Sequence, residues 1–226
     1  MAIAFKTSEQ ETSDSFGSDD VVGRFRSGYQ TTSGRPVGLD NFRVTTGDPT
    51  VAEAIMELMG ADDSGVSEWD TSTEETLQVF TQTNEVPIIV EPKGVRATLV
   101  LWSRSGKKIV ETDGEYIIED GELTDRLWDG RDKTLPELKN DARDGVGPAP
   151  SLQVYFRLAS NPDLGKFKFF SGSWTAIDGF NVAEDRIAEI GGPANATLKL
   201  ERVEFTNKQG ENVSFVKPVI KVHGAA

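Results

Sequence analysis

The chain has no cysteine and a single histidine among its 226 residues. Without thiols there is no disulfide framework, no thiolate zinc site and no cysteine nucleophile, a composition that suits a cytoplasmic protein. The one histidine, His223, lies close to the C-terminus. A Ser-His-Asp triad would have to use it, and a chain end is a poor place to hold a base in position. It reads as a polar residue at a strand end. No apolar run reaches the roughly 18 residues of a membrane helix, and the start of the chain has no basic segment leading into an apolar core, so no secretory signal is expected.

Phosphate-cradling glycine loops are missing as well. Neither GxxxxGK[ST] nor a post-strand GxGxxG occurs, and the GVG at 145–147 runs into Pro148 and reads as a turn. The calcium-loop pattern D-x-[DN]-x-[DN]-G is absent too. Asp113, Glu115, Glu119, Asp120 and Glu122 therefore read as a solvated acidic stretch. A two-metal nuclease built from scattered carboxylates is the least favoured reading. The expectation is a protein that is not an enzyme, with no catalytic residue, no metal and no cofactor.

Charge is present in excess, and of one sign. Thirty-seven Asp and Glu face 24 Lys and Arg, a formal net charge of −13. Bulk repulsion of that size argues against a protein that coats duplex DNA. The distribution is uneven: twelve acids against five bases in 111–144, but eight against nine from 151 to the end. A local nucleic-acid groove stays open.

Residues 151–174 stand out in this acidic chain. SLQVYFRLASNPDLGKFKFFSGSW reads as two strands turned by Asn161-Pro162-Asp163 and Gly165. Tyr155, Phe156, Phe167, Phe169, Phe170 and Trp174 are interleaved with Arg157, Lys166 and Lys168. Alternation sends Phe167 and Phe169 to one face, expected to be core, and Lys166, Lys168 and Phe170 to the other. An ordinary half-buried strand with solvated lysines accounts for that pattern; an exposed cationic strip is the sharper reading. Arg24-Phe25-Arg26 repeats the pairing of cation and ring. Arg24, Arg26, Arg157, Lys166, Lys168 and Phe170 are thus the candidate partner or nucleic-acid surface, since single-strand binders stack bases on rings and meet phosphates with Lys and Arg.

The remaining elements indicate an α+β, β-rich fold: mainly antiparallel sheets, or a barrel-like arrangement, with two short helices. Asp48 as N-cap, Pro49 at the first position, apolar Val51, Ala54, Ile55, Leu58 and Met59, and Gly60 predict a helix. Val182, Ala183, Ile187 and Ile190, ended by Gly191-Gly192-Pro193, predict a second over 181–190. Strands are expected over 39–46, 75–81, 85–91 (Pro87 marking an edge or strand start), 96–103, 108–110, 116–118, 196–206 and 213–222. Residues 1–18 read as a disordered tail and 19–226 as one β-rich domain, divisible into two subdomains. An acidic surface insertion at about 119–150 could form single amphipathic turns at Leu123–Trp128 and at Leu135–Leu138.

Several segments together resemble a known family. They are VGRFRSG (22–28), FRVTTGDP (42–49), LQVFT (77–81), VLWSRSG (100–106), QVYFRLA (153–159), PDLGKFKF (162–169), SGSW (171–174) and FVKPVIKVHGAA (215–226). Over most of the chain beyond residue 20 it is similar to the recombination directionality factors of actinobacterial phages and prophages, like the partner of the phiC31-type large serine integrase. The resemblance implies a non-enzymatic regulator in the host bacterial cytoplasm. It would bind a large serine integrase, touch DNA only indirectly and no membrane, permit attL × attR excision and block attP × attB integration. Net acidity fits a grip on a basic, DNA-bound partner. Relatives carry a cysteine cluster in the region matching 112–148, which implies a zinc knuckle there; in this cysteine-free chain either the acidic insertion replaces it by other packing, the favoured reading, or this branch has lost something that mattered. The rival reading is a single-stranded DNA-binding protein of phage replication with an OB-like fold.

Overall fold

The computed structural model describes residues 21–31, 36–69, 71, 73–206 and 210–226; the expected tail at 1–18 lies outside them. Among these residues, alternating apolar side chains build thirteen strands: β1 (Val21–Gln30), β2 (Pro36–Thr46), β3 (Val66–Glu68), β4 (Leu77–Phe80), β5 (Glu85–Val90), β6 (Val95–Trp102), β7 (Lys108–Thr112), β8 (Tyr116–Glu119), β9 (Glu122–Leu127), β10 (Ala149–Leu158), β11 (Lys166–Ser171), β12 (Ala194–Thr206) and β13 (Asn212–Ala225). Three helices accompany them: α1 (Pro49–Met59), α2 (Leu135–Arg143) and α3 (Ile177–Ile190). The expected α+β, mainly antiparallel architecture is what forms, and the sheet is not clearly closed into a barrel. The two expected helices are α1 and α3, and α2 joins them.

The strands run β3-β4-β2-β1-β11-β10-β6-β7-β8-β9. Every pairing is antiparallel except β1 with β11, where Arg24 lies beside Lys168 and Phe25 beside Phe169. The hairpin read at 151–174 is β10–β11, with Phe156 opposite Phe167 and Val154 opposite Phe169. A single 3-10 turn at Pro162–Leu164 joins its strands, and Gly165 follows at φ 122°, a value that favours glycine.

β10 is where the sheet divides. Its first part pairs with β6, from Ala149–Val100 to Val154–Val95. Its end pairs with β5 through Arg157–Ile89 and Leu158–Ile88. Between them the chain corners at Gly94, whose carbonyl accepts from the Tyr155 N–H at 2.7 Å. A Cβ on Gly94 would meet Val90 Cγ1 at 2.7 Å and the Tyr155 carbonyl oxygen at 2.9 Å. Beyond the corner β5 pairs along β12, and β12 with β13. Pro87 sits inside β5, opposite Thr197, rather than at its start.

The core is aromatic at its centre. Phe25 meets Phe42, Phe156 and Phe167 edge-to-face at centroid distances of 5.4, 5.2 and 5.4 Å, and all are buried. Phe167 and Phe169 are core residues, as the alternation required. α1 is capped by Asp48, whose carboxylate accepts the Thr50 N–H at 2.8 Å, and it buries Val51, Ala52 and Ile55. α3 buries Ile177, Phe180, Ala183 and Ile187, packing on β13 and β6. It also turns Glu184 inward. Burial pushes that carboxyl up to about 8, against the opposing pull of a backbone hydrogen bond from Ala97 and the charge of Arg96.

The acidic stretch after β7 has its own architecture. Leu123 and Leu127 belong to strand β9, not to a helical turn, while the turn read at Leu135–Leu138 is the start of α2. Trp128 is buried against Gly130, where a Cβ would lie 2.4 Å from the indole. The Glu137 carboxylate accepts both the N–H and the O–H of Thr134 at the α2 start, which holds its pKa below the usual value. Buried Glu111 accepts from Thr98 and pairs with Arg96 and Lys108.

Candidate functional site

The face of the sheet opposite the phenylalanine core is polar, and registration sets its side chains in two rows. One row runs Tyr155, Lys168, Arg24, Thr45, Gln78 across β10, β11, β1, β2 and β4. In the other, Arg26 lies beside Arg43 and Arg43 beside Phe80, while Gln153 pairs with Phe170. An open groove of about 1280 Å³ lies over these rows, with Arg202, Ser214 and Phe215 of the β12–β13 hairpin on its far side. Arg202 is anchored there by Asp40 of β2, with Nε to Oδ1 at 2.8 Å.

The cations are interlocked. Arg24 Nε lies 2.6 Å from Glu75 Oε1, and Arg26 Nη2 lies 2.9 Å from Glu75 Oε2. Thr45 donates to Glu75 Oε2 at 2.7 Å and accepts from Arg26 Nε at 2.9 Å. Arg43 is buried on what alternation would make an open face. Its guanidinium lies 4.3 Å from the ring centre of Trp69 and 5.6 Å from that of Phe80, and its Nε donates to Gln78 at 2.8 Å. Burial, then the charge of Arg26, pushes the Arg43 pKa down to about 10, with Glu75 pulling the other way. Lys168 sits 4.9 Å above the ring of Tyr155. Trp69 is fixed by its indole N–H on the Glu75 carbonyl, 2.5 Å.

Of the six surface residues read from sequence, Arg24, Arg26, Lys168 and Phe170 come together in this groove. Lys166, on β11, and Arg157, on β10, lie at the other end of the hairpin, opposite Val21 and Ile89, and do not line it. Arg43, Trp69, Glu75, Phe80 and Trp102 were not among those six. Arg43 and Phe80 lie inside segments that read as plain amphipathic strand, and Glu75 inside a Thr- and Glu-rich stretch. Only pairing across strands distant in sequence reveals them. His223 lies on β13, its Nε2 2.8 Å from Thr197 Oγ1. Among the described residues no group of three or more His, Asp or Glu could hold a metal ion, and no helix is long and apolar enough to cross a membrane.

A family model described as Gp3-like, recombination directionality factor-like, matches residues 22–223. The chain belongs to this family. Its members are non-catalytic regulators of recombination that act by binding a large serine integrase. No solved structure matches the chain. The resemblance read from the scattered motifs and the family match cover nearly the same residues. For a Gp3-like protein the chemistry of interest is recognition, and the groove offers fixed cations and exposed apolar side chains.

Proposed function

We propose that this chain binds the large serine integrase of its own phage or prophage in the bacterial cytoplasm and switches it from attP × attB integration to attL × attR excision. The match over residues 22–223 carries the reading. The switch is a population shift: the factor binds the excision-competent arrangement of integrase subunits more tightly than the alternative. Taking that equilibrium from 1:99 to 99:1 requires a difference in affinity of about 10⁴-fold. The contact surface includes Arg24, Arg26, Lys168 and Phe170, and DNA is engaged only through the integrase.

Single-stranded DNA binding draws support from the mix of cations and rings in the groove. Three observations weigh against it. Trp69 already carries Arg43 on its face and Tyr155 carries Lys168, so these rings are covered by cations instead of open to bases. The sheet is not clearly closed into a barrel. The net charge of −13 repels a polyanion.

The test is recombination in vitro with purified cognate integrase, with and without this protein. Excision should appear and integration should fall when it is added. Unchanged yields of both reactions would overturn the proposal.

A further inference from the structure

We propose that the groove holds an acidic segment of the integrase, its carboxylates on Arg24, Arg26 and Lys168 and its apolar side chains on Phe170 and Trp102. The inference rests on the integrase-binding reading and specifies the chemistry of that contact. Charge is its first support. In a chain with 37 acids and 24 bases, the groove lining holds Arg24, Arg26, Arg43, Lys168 and Arg202, and the acids that pair with them there are Glu75 and Asp40, at its border.

Second, the site already demonstrates its preferred ligand chemistry. Glu75 reaches in from beside the groove and divides its two oxygens between Arg24 and Arg26, the geometry a guanidinium pair offers to a carboxylate. One carboxylate cannot neutralise both, and Arg43 and Lys168 add to the surplus. The Arg24 and Lys168 side chains, adjacent across the β1–β11 register, supply the accessible charge.

Third, two large apolar side chains border these cations without cover: Phe170 is 54 % exposed and Trp102 is 56 % exposed. Cations flanked by open aromatics suit a peptide that alternates acidic and apolar residues. Such a segment carries few charges, so the long-range repulsion from a −13 protein is small beside that on DNA, with one charge per ≈ 1.7 Å of duplex axis.

The experiment measures affinity of the full chain for its integrase and competition by two probes, a random Glu–Tyr copolymer and oligo-dT of matched charge. The double variant Lys168→Glu/Phe170→Ser should weaken integrase binding at least about tenfold. Trp102→Ala should weaken it less, and Lys221→Glu, on β13 outside the groove, should leave it unchanged. The copolymer should compete with integrase and lose its binding in the double variant, while oligo-dT should not compete. Circular dichroism melts verify that each variant is folded, and Lys168→Ala replaces the double variant if that one is not. Wild-type affinity in the folded double variant or its Lys168→Ala replacement, or competition by oligo-dT in place of the copolymer, overturns the inference while leaving the integrase reading intact. If wild type fails to bind integrase at all, the integrase reading falls. The groove's preference for acidic chains is then decided by the copolymer alone.

Discussion

The groove face and the acidic stretch over residues 119–132 carry charge in opposite ways. In the groove, Arg43 and Thr45 are buried, and Glu75 is shared among two guanidiniums and a hydroxyl. In the acidic region Glu119, Asp120, Glu122, Asp125, Asp129 and Asp132 all face water. Its pairs, such as Arg126 with Glu119, are exposed on both sides. Interlocked charges depend on the identity and position of each partner, because removing one leaves another half-buried and unpaired. Exposed charges contribute little singly and act through their summed field. Position therefore matters on one face and only sign on the other.

The hardest way to break the groove is from beneath. Phe25→Ala should remove about 3–5 kcal/mol of stability, measured by urea unfolding, because Phe25 touches three core rings under the groove floor. Glu75→Gln comes next, at about 1–3 kcal/mol, since it removes the negative charge and one of the two oxygens that Arg24 and Arg26 share, and turns an NH2 donor toward a guanidinium. A loss no larger than that of an exposed acid would erase the contrast between the two regions.

Glu184 sharpens the comparison, because it is an acid that is largely withdrawn from water. Its folded-state pKa of about 8 lies above the ordinary 4.5, so the native state holds a proton that the unfolded chain has released. Stability from this group is complete below pH 4.5 and is lost as pH rises toward 8. Glu184→Gln should flatten that decline and leave the variant more stable than wild type at pH 8 by at least about 1 kcal/mol, read as a melting point about 2–4 °C higher. The smallest effect belongs to Asp120→Asn/Glu122→Gln/Asp125→Asn. Stability should move by no more than about 0.5 kcal/mol. Only the salt dependence of the association rate with integrase should change.

Local signals were readable wherever neighbours in sequence are neighbours in space. The β10–β11 hairpin, the inward Phe167 and Phe169, and the Asp48–Pro49 start of α1 follow from alternation, turn residues and capping. α3 begins at Ile177, earlier than the expected Asn181, because its N-cap is Ala176, which makes no side-chain cap and so leaves no mark in the sequence. α2 was read only as a turn, since it buries one residue, Leu138, and a single apolar contact sets no period; the Thr134-x-x-Glu137 capping box with Pro136 was the signal that could have found it. The groove was half legible. Its Lys168 and Phe170 lie on the readable hairpin, and Arg24 and Arg26 flank a core phenylalanine. Arg24 and Arg26 meet Arg43 through β1–β2 and β2–β4, while Lys168 and Phe170 join them only through the parallel β1–β11 pairing, which nothing local encodes.

That parallel pairing has a consequence for the order of assembly. β1 is made early, yet one of its edges is closed only by β11, far along the chain. During synthesis β1 and β2 can join as a hairpin, but the row from Tyr155 to Gln78 stays open until β11 is made. Long-range pairing of this kind slows folding and leaves an unpaired edge in the interval. A nascent or truncated chain that stops short of residue 166 therefore lacks both the binding face and the protection of its first strand, and chaperones should engage it at that edge.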